Sequence, residues 1–278
     1  MKVSVVIPTL AGKNTDYLKV CVDSLRASTD WDIIVVSNGG KDKPNYSHIK
    51  GITLHLHTSD QGQANATNIG SQAVSKDTDY IFVTNDDMYY APDWNKNIDF
   101  RFNCFSPNLV EPTNNAGSAK PFLKCNGGFT LEEFNKEVVD DFIKKGIKKD
   151  LSYPRIEVGF NLPFFIDKKL WDTIEGYDIA YDPWGSNSDT DLQTKIELAG
   201  TTPIRQRDML VYHFSNKSGT FDGTHQEFWQ FNWDYYTEKW GFNRDDTNGD
   251  PWYCTNMIDY ERLKFHPSWK GKFKGDKQ

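Results

Sequence analysis

The chain has little cysteine, no long apolar run and no excess of positive charge. Its four cysteines, Cys21, Cys104, Cys125 and Cys254, are widely spaced and form no CxxC pair, which excludes the common zinc-site spacings. Cys21 falls on a helix face with Leu18, Val22 and Leu25 and reads as a buried free thiol; a Cys104–Cys125 bridge is left open. No apolar stretch nears the roughly 20 residues that span a bilayer. Met1–Pro8 runs straight into a strand without the apolar region of a signal peptide, so a soluble, cytoplasmic protein is expected. A formal net charge of -7 over 278 residues argues against a general nucleic-acid binder, which carries a broad basic footprint. Internal repeats and low-complexity linkers are also missing. So is a Gly-rich phosphate loop with its Lys or Arg, because Ala11-Gly-Lys13 is too thin for one.

Aromatic residues, by contrast, are plentiful at 14%. Such an excess lines carbohydrate or nucleobase sites, or packs a core. The first half alternates strand and helix. Val3–Ile7 is a β-branched run stopped by Pro8; Asp16–Ser28 is apolar at helical spacing. Asp32–Val36 ends in the loop signal Ser37-Asn-Gly-Gly40, Ile52–His57 alternates like a half-exposed strand, and Gln63–Val74 reads as a helix before the strand Tyr80–Thr84. This alternation predicts a mostly parallel sheet with crossover helices. Farther on, Arg101–Thr130 is rich in Pro, Asn and Gly and is expected to be loop. Leu131–Lys145 places Leu131, Phe134, Val138, Phe142 and Ile143 on one helical face. A strand over Gly159–Ile166, a short helix over Lys169–Ile174, a helix over Asp191–Ala199 and a strand over Met209–Phe214 complete the core. From Phe221 to Tyr260 about twelve aromatics fall in forty residues, well above an ordinary density. The expected division is therefore residues 1–219 as one domain and 220–278 as an extension packed on it.

The most informative stretch is Asp79-Tyr-Ile-Phe-Val-Thr-Asn-Asp-Asp-Met88. A short hydrophobic strand here delivers Asn85, Asp86 and Asp87 to the rim of an α/β sheet, where open α/β folds bind their ligands. Oxygen ligands of this kind suit Mg²⁺ or Mn²⁺, although Asn and Asp are also ordinary turn residues.

Five segments in order, from Val3 to Gly219, resemble the family 2 glycosyltransferases of the GT-A fold. Val3-Ser-Val-Val-Ile-Pro-Thr9 is similar to the opening strand, which implies that Pro8 and Thr9 border the nucleotide base. In Val35-Val-Ser-Asn-Gly-Gly-Lys-Asp42, Asn38 stands where the family usually has a base-contacting Asp. An amide donates as well as accepts, so the identity of the base stays open. Gly62-Gln-Ala-Asn-Ala-Thr-Asn68-Ile-Gly70 is similar to the family's G-x-x-x-A-x-N-x-G segment, with Thr67 in a place commonly held by Arg and Asn68 toward the donor. Asn85-Asp-Asp87 resembles the D-x-D motif. The resemblance implies that Asp87 binds the metal and that Asn85 and Asp86 lie near the ribose and the hydrated cation. Last comes Ile174-Glu-Gly-Tyr-Asp178, followed by Trp184-Gly-Ser-Asn-Ser-Asp189-Thr-Asp191-Leu192, where the family shows G-G-F-D and then E-D-x-D-L. Asp189 takes the position of the catalytic base, though a carboxylate at a helix start is also an ordinary cap. Val211-Tyr-His213 then places His213 as a metal ligand, with Lys217 and Ser218 near the diphosphate.

The resemblance implies an inverting transfer of a sugar from a nucleotide sugar, UDP-type as a first expectation, to the hydroxyl of a glycan or other acceptor. Mn²⁺ or Mg²⁺ would hold the diphosphate. Trp184 and Asp191 are expected to touch substrate. Phe228, Trp229, Trp233 and Tyr236 are expected on the acceptor side, or else Phe228, Phe231 and Tyr235 mark a packed helix face. Asn38, Thr67, Asn85 and Ser188 depart from the family pattern. They keep open a non-catalytic sugar- or nucleotide-binding protein on a decayed GT-A scaffold, with a nucleotidyltransferase as a more distant reading.

Overall fold

A computed structural model describes residues 1–112, 123–148, 156–183, 185–215, 217 and 226–241. Its first half follows the predicted alternation: β1 (Val3–Leu10), α1 (Thr15–Arg26), β2 (Asp32–Asn38), β3 (Leu54–Thr58), α2 (Gln63–Gln72) and β4 (Tyr80–Val83). β1 pairs in parallel with β2 and β4, and β2 with β3, so these strands end along one carboxyl edge. Pro8 helps open that edge. Val6 still accepts from the amide of Thr84 at 3.1 Å, but Pro8 has no N–H for the next rung toward β4. The chain after Thr84 is thus free to leave the sheet.

The second half contains β5 (Met88–Tyr89), β6 (Cys104–Pro112), β7 (Leu123–Cys125), α3 (Lys136–Lys148), β8 (Ile156–Val158), β9 (Phe164–Asp167) and α4 (Lys168–Ile174). A single 3₁₀ turn (Ile179–Tyr181), α5 (Ser188–Leu198), β10 (Ile204–His213) and α6 (Gln226–Trp240) follow. The strand order is β3-β2-β1-β4-β9-β6-β10-β5, with β7 beside β6 and β8 beside β10. β9 runs antiparallel to both β4 and β6, while β10 is parallel to β6 and antiparallel to β5. The sheet is therefore parallel through β1–β4 and mixed beyond.

The expected loop over Arg101–Thr130 is corrected, because β6 is a buried central strand inside it. Pro107 is tolerated there for a local reason. Pairing of β6 with β10 breaks between Gln206 and Leu210, beside Pro107, which is where a missing N–H costs least. Helix α3 starts at Lys136 rather than Leu131, so Val139 and Ile143 face the core and Val138 is exposed.

Much of the aromatic content is core. Phe82, Phe105 and Phe165 stack across the strands, with centroids 4.1 and 4.8 Å apart on either side of Phe165, and Trp94 packs on Phe82. Cys21, Cys104 and Cys125 are buried free thiols, so Cys104 and Cys125 are not bridged; Cys254 lies outside the described residues.

Helix α6 packs on the face of the sheet that carries α2, α4 and α5, burying Tyr236 and Trp240 in that core. This corrects the placement of Tyr236 toward an acceptor. Phe231, by contrast, is 61% exposed, so the packed face runs through Asn232, Tyr236 and Trp240. The ammonium of Lys239 lies 2.7 Å from both Asp178 and Asp191, and Asp191 is fully buried. Removing a cation from such a group leaves buried carboxylates uncompensated. Lys239→Ala is expected to cost about 3 kcal/mol, lowering the melting temperature by roughly 6–12 °C; a change under 2 °C would show that α6 does not hold this side of the fold.

Candidate active site

Asp87 and His213 face each other because two strands place them there. β5 and β10 pair antiparallel with Met88 opposite His213, and the amide of Phe214 donates to the carbonyl of Asp87 at 3.1 Å. The imidazole Nε2 then lies 3.4 Å from Asp87 Oδ1. On its other side Nδ1 lies 3.0 Å from Glu111 Oε1. Burial pushes the His213 pKa down, but the two carboxylates outweigh it and raise it to about 10. Burial pushes Asp87 up, yet the charge and hydrogen bond of His213 leave it below the usual carboxylate range. The Lys217 amide adds a long contact to Asp87 Oδ2 at 3.4 Å.

Asp86 behaves differently. Burial and the neighbouring charge of Asp87 raise its pKa from an ordinary 3.8 to about 7, against the pull of a hydrogen bond from Thr9. That bond, Oγ1 to Oδ2 at 2.6 Å, ties the end of β1 to the carboxylate cluster. Between those two pH values folded Asp86 keeps a proton that the unfolded chain has released. Its contribution to the stability of the metal-free protein therefore falls as pH rises from about 4 to about 7. Asp86→Asn is expected to remove this contribution and make the dependence of melting temperature on pH more positive over that window. Superimposable profiles would reject the assignment.

Asn38 reaches the same edge, but its amide is engaged. Nδ2 donates to the Thr9 carbonyl at 2.9 Å and Oδ1 accepts from the Gly62 amide at 3.0 Å. Its place is to knit β1 to the start of α2. Asn85 is partly exposed and meets Gln63 Nε2 at 3.4 Å. Thr67 is buried and bonds back to the Gln63 carbonyl. Asn68, expected toward the donor, is corrected: Nδ2 donates to the Tyr177 carbonyl and Oδ1 accepts from the Tyr177 amide, both at 2.9 Å. Both ends of that amide are used to fix the Gly176-Tyr177 segment.

The consequence appears at Asp189. Tyr177 donates its hydroxyl to Asp189 Oδ1 at 2.7 Å, in the first turn of α5. Burial raises the Asp189 pKa, and the Tyr177 hydrogen bond pulls against it. The loop ahead of α5 is held to the carboxyl edge by Asp182, whose two oxygens accept from the amides of Ala64 and Asn65 at 3.2 and 2.8 Å. Gly62 is required here: its φ is +154° and a Cβ would lie 2.0 Å from the Asp182 carboxyl carbon. Asp191, expected to touch substrate, is corrected: it points inward and accepts from Tyr181, Trp240 and Lys239. Trp184 and Ser218 lie outside the described residues.

Sequence reasoning missed Glu111, Asp182 and the hydroxyl of Tyr177. Only the last left a legible signal, a Tyr where the resembling pattern has Phe.

Among the described residues, no three His, Cys, Asp or Glu side chains gather as a complete metal centre. The chemistry of the Asp87–His213 pair nonetheless fits a divalent cation. One carboxylate oxygen and one imidazole nitrogen face each other, and the Asp86–Asp87 crowding is what a cation would relieve. Imidazole with carboxylate suits Mn²⁺, and few protein ligands are needed where phosphates complete the shell.

Residues 4–98 match the family model described as Glycosyl transferase family 2. The first 349 residues of TarS from S. aureus share the fold, with a TM-score of 0.52 at 14% identity, over 79% of this chain and 62% of that one. A structure of GalNAc-T7 with UDP, GalNAc and Mn²⁺ gives 0.53 at 17% identity, over 77% of this chain and 44% of that one. The chain thus spans less than two thirds of the length of either. No curated protein sequence matches it. These structural matches define a GT-A fold, and the segment 4–98 is similar to the family 2 glycosyltransferases.

Proposed function

We propose that the protein is an inverting, metal-dependent glycosyltransferase that moves a sugar from a nucleotide sugar to an acceptor hydroxyl. The observation that carries this reading is the pairing of Asp87 with His213 on the carboxyl edge that also receives the start of α5 and Asp189. A divalent cation, when bound, offsets the negative charge that develops on the leaving diphosphate. Asp87 and His213 are the residues that would hold it, with Lys217 beside them. Thr9, Asn85 and Asp86 border the nucleoside, and Asn38 shapes that pocket from behind. UDP is the first donor nucleotide to test, because UDP and Mn²⁺ occupy the related fold of GalNAc-T7.

Asp189 acts as the base that takes the acceptor proton while the hydroxyl attacks the anomeric carbon. Its raised pKa makes it a stronger base, and the Tyr177 hydroxyl aims it. Only one carboxylate is assigned to the reacting face, which suits a single displacement with inversion.

Hydrolysis of each candidate nucleotide sugar, followed by proton NMR, tests this directly. Sugar released first with the opposite anomeric configuration, in a reaction stopped by EDTA, is the expected result. Release with retained configuration would reject the single-displacement scheme. Absence of metal-dependent release from every donor would instead support a non-catalytic binding protein on this scaffold.

A further inference from the structure

Glu111 closes β6 with a side chain only 3% exposed. Its Oε1 meets His213 Nδ1 at 3.0 Å. Oε2 is buried without a hydrogen-bond partner, and the Lys124 ammonium stands 3.9 Å away from it. A buried carboxylate is costly unless it is paired and hydrogen-bonded, and the imidazole of His213 is the partner of Oε1. Strand register explains how it meets the imidazole. β10 pairs with β6 on one side, Tyr212 opposite Val110, and with β5 on the other, His213 opposite Met88. His213 is thereby set between Glu111 and Asp87.

At 3.0 Å from a carboxylate oxygen, Nδ1 is placed to donate its N–H in this contact. Nε2 is left on the side of Asp87, 3.4 Å from its Oδ1. We propose that Glu111 is the positioning residue for the metal-ligating histidine: it holds the ring orientation and keeps a proton on Nδ1, so that Nε2, beside Asp87, is the nitrogen that gives up its proton to a cation. The inference rests on the reading of Asp87 and His213 as metal ligands. Carboxylates that orient histidine ligands raise their basicity as well as fixing the ring, and losing one weakens metal affinity by about 10–100-fold.

The test is Mn²⁺ titration of the full chain, with free ion followed by electron paramagnetic resonance, on wild type, Glu111→Gln, Glu111→Ala, Asp87→Asn and His213→Ala. Melting temperatures in EDTA report on the fold. Nitrogen-15 spectra of the Zn²⁺-loaded protein report the His213 tautomer, its signals being those lost in His213→Ala. The expected result is Mn²⁺ affinity weakened about 10–100-fold in both Glu111 variants, with melting in EDTA little changed for Glu111→Gln and the Nδ1–H form depleted in Glu111→Ala. Should Glu111→Ala fail to fold, the isosteric Gln variant carries the affinity test alone. Unchanged affinity in the Glu111 variants, with Mn²⁺ lost in Asp87→Asn and His213→Ala, overturns this inference and leaves the metal site standing. Affinity that falls only in step with melting in EDTA also counts against it. No Mn²⁺ binding by wild type overturns both.

Discussion

Asp189→Asn is expected to lower turnover by about two to four orders of magnitude while leaving nucleotide-sugar and Mn²⁺ affinities within about twofold of wild type. The asymmetry follows from what Asp189 touches. Its oxygen accepts from the Tyr177 hydroxyl, and an Asn side chain of the same shape keeps an oxygen for that bond. The loop, the helix start and the metal pair are therefore retained, and only the proton acceptor is removed. Tyr177→Phe separates positioning from basicity. It keeps the ring packed against Phe164 and Trp171 but deletes the hydrogen bond that holds the Asp189 pKa down. The acid limb of its pH–rate profile should move to higher pH. Near-normal turnover in Asp189→Asn would remove this residue from the mechanism and leave it as an acidic residue in the first turn of α5.

Asp87→Asn is expected to abolish metal-dependent donor binding, because the variant loses the anionic member of the proposed pair of metal ligands. The loss in Mn²⁺ affinity should exceed the about 10–100-fold that an outer-sphere partner produces. Metal-free stability is affected by opposing effects of similar origin. The attraction between Asp87 and His213 is lost, while the repulsion that raises the Asp86 pKa is relieved. Melting in EDTA should therefore change far less than melting with Mn²⁺ and donor. Equal losses under both conditions would mean that Asp87 serves the fold rather than a cation.

How much of this was legible in the sequence depended on whether a residue's partner was local. β1, α1, β2 and β4 announce themselves through runs of Val, Ile and Leu at the right period, and the carboxylates after Val83 fall at a sheet edge by simple chain order. β6 was hidden because Pro107 and Asn108 look like loop, and only its break in pairing with β10 makes that proline harmless. Asp189 and His213 are assigned by their position in a familiar order of motifs. Asp191 and Asn68, from the same motifs, were misplaced because their partners come from distant elements: Lys239 and Trp240 from α6, and the backbone of Tyr177. Glu111 was invisible for the same reason, since nothing within ten residues of it reveals that β10 will set an imidazole beside it. The aromatic excess is compatible with a binding surface or a core, and Phe82, Phe105, Phe165 and Trp94 fall in a stacked core.

The described part of α6 gives the C-terminal segment a physical task. Asn232 donates to the Tyr181 carbonyl and to Ser186, each at 3.0 Å, and Tyr236 meets Thr194 on α5 at 2.8 Å. These contacts brace the loop and helix that carry Asp189. Among the described residues no helix is long and apolar enough to cross a membrane.

In the proposed reading Asp87 and His213 hold a divalent cation for a nucleotide sugar. The most direct test is the melting temperature of the full chain against a panel of nucleotide sugars, each with Mn²⁺ and with EDTA. A ligand at about 100 times its dissociation constant adds roughly 2.7 kcal/mol of stability. A clear rise is expected for one donor, seen only with Mn²⁺ and absent in Asp87→Asn. A rise that persists in EDTA or in Asp87→Asn, or no rise with any donor, would contradict this reading.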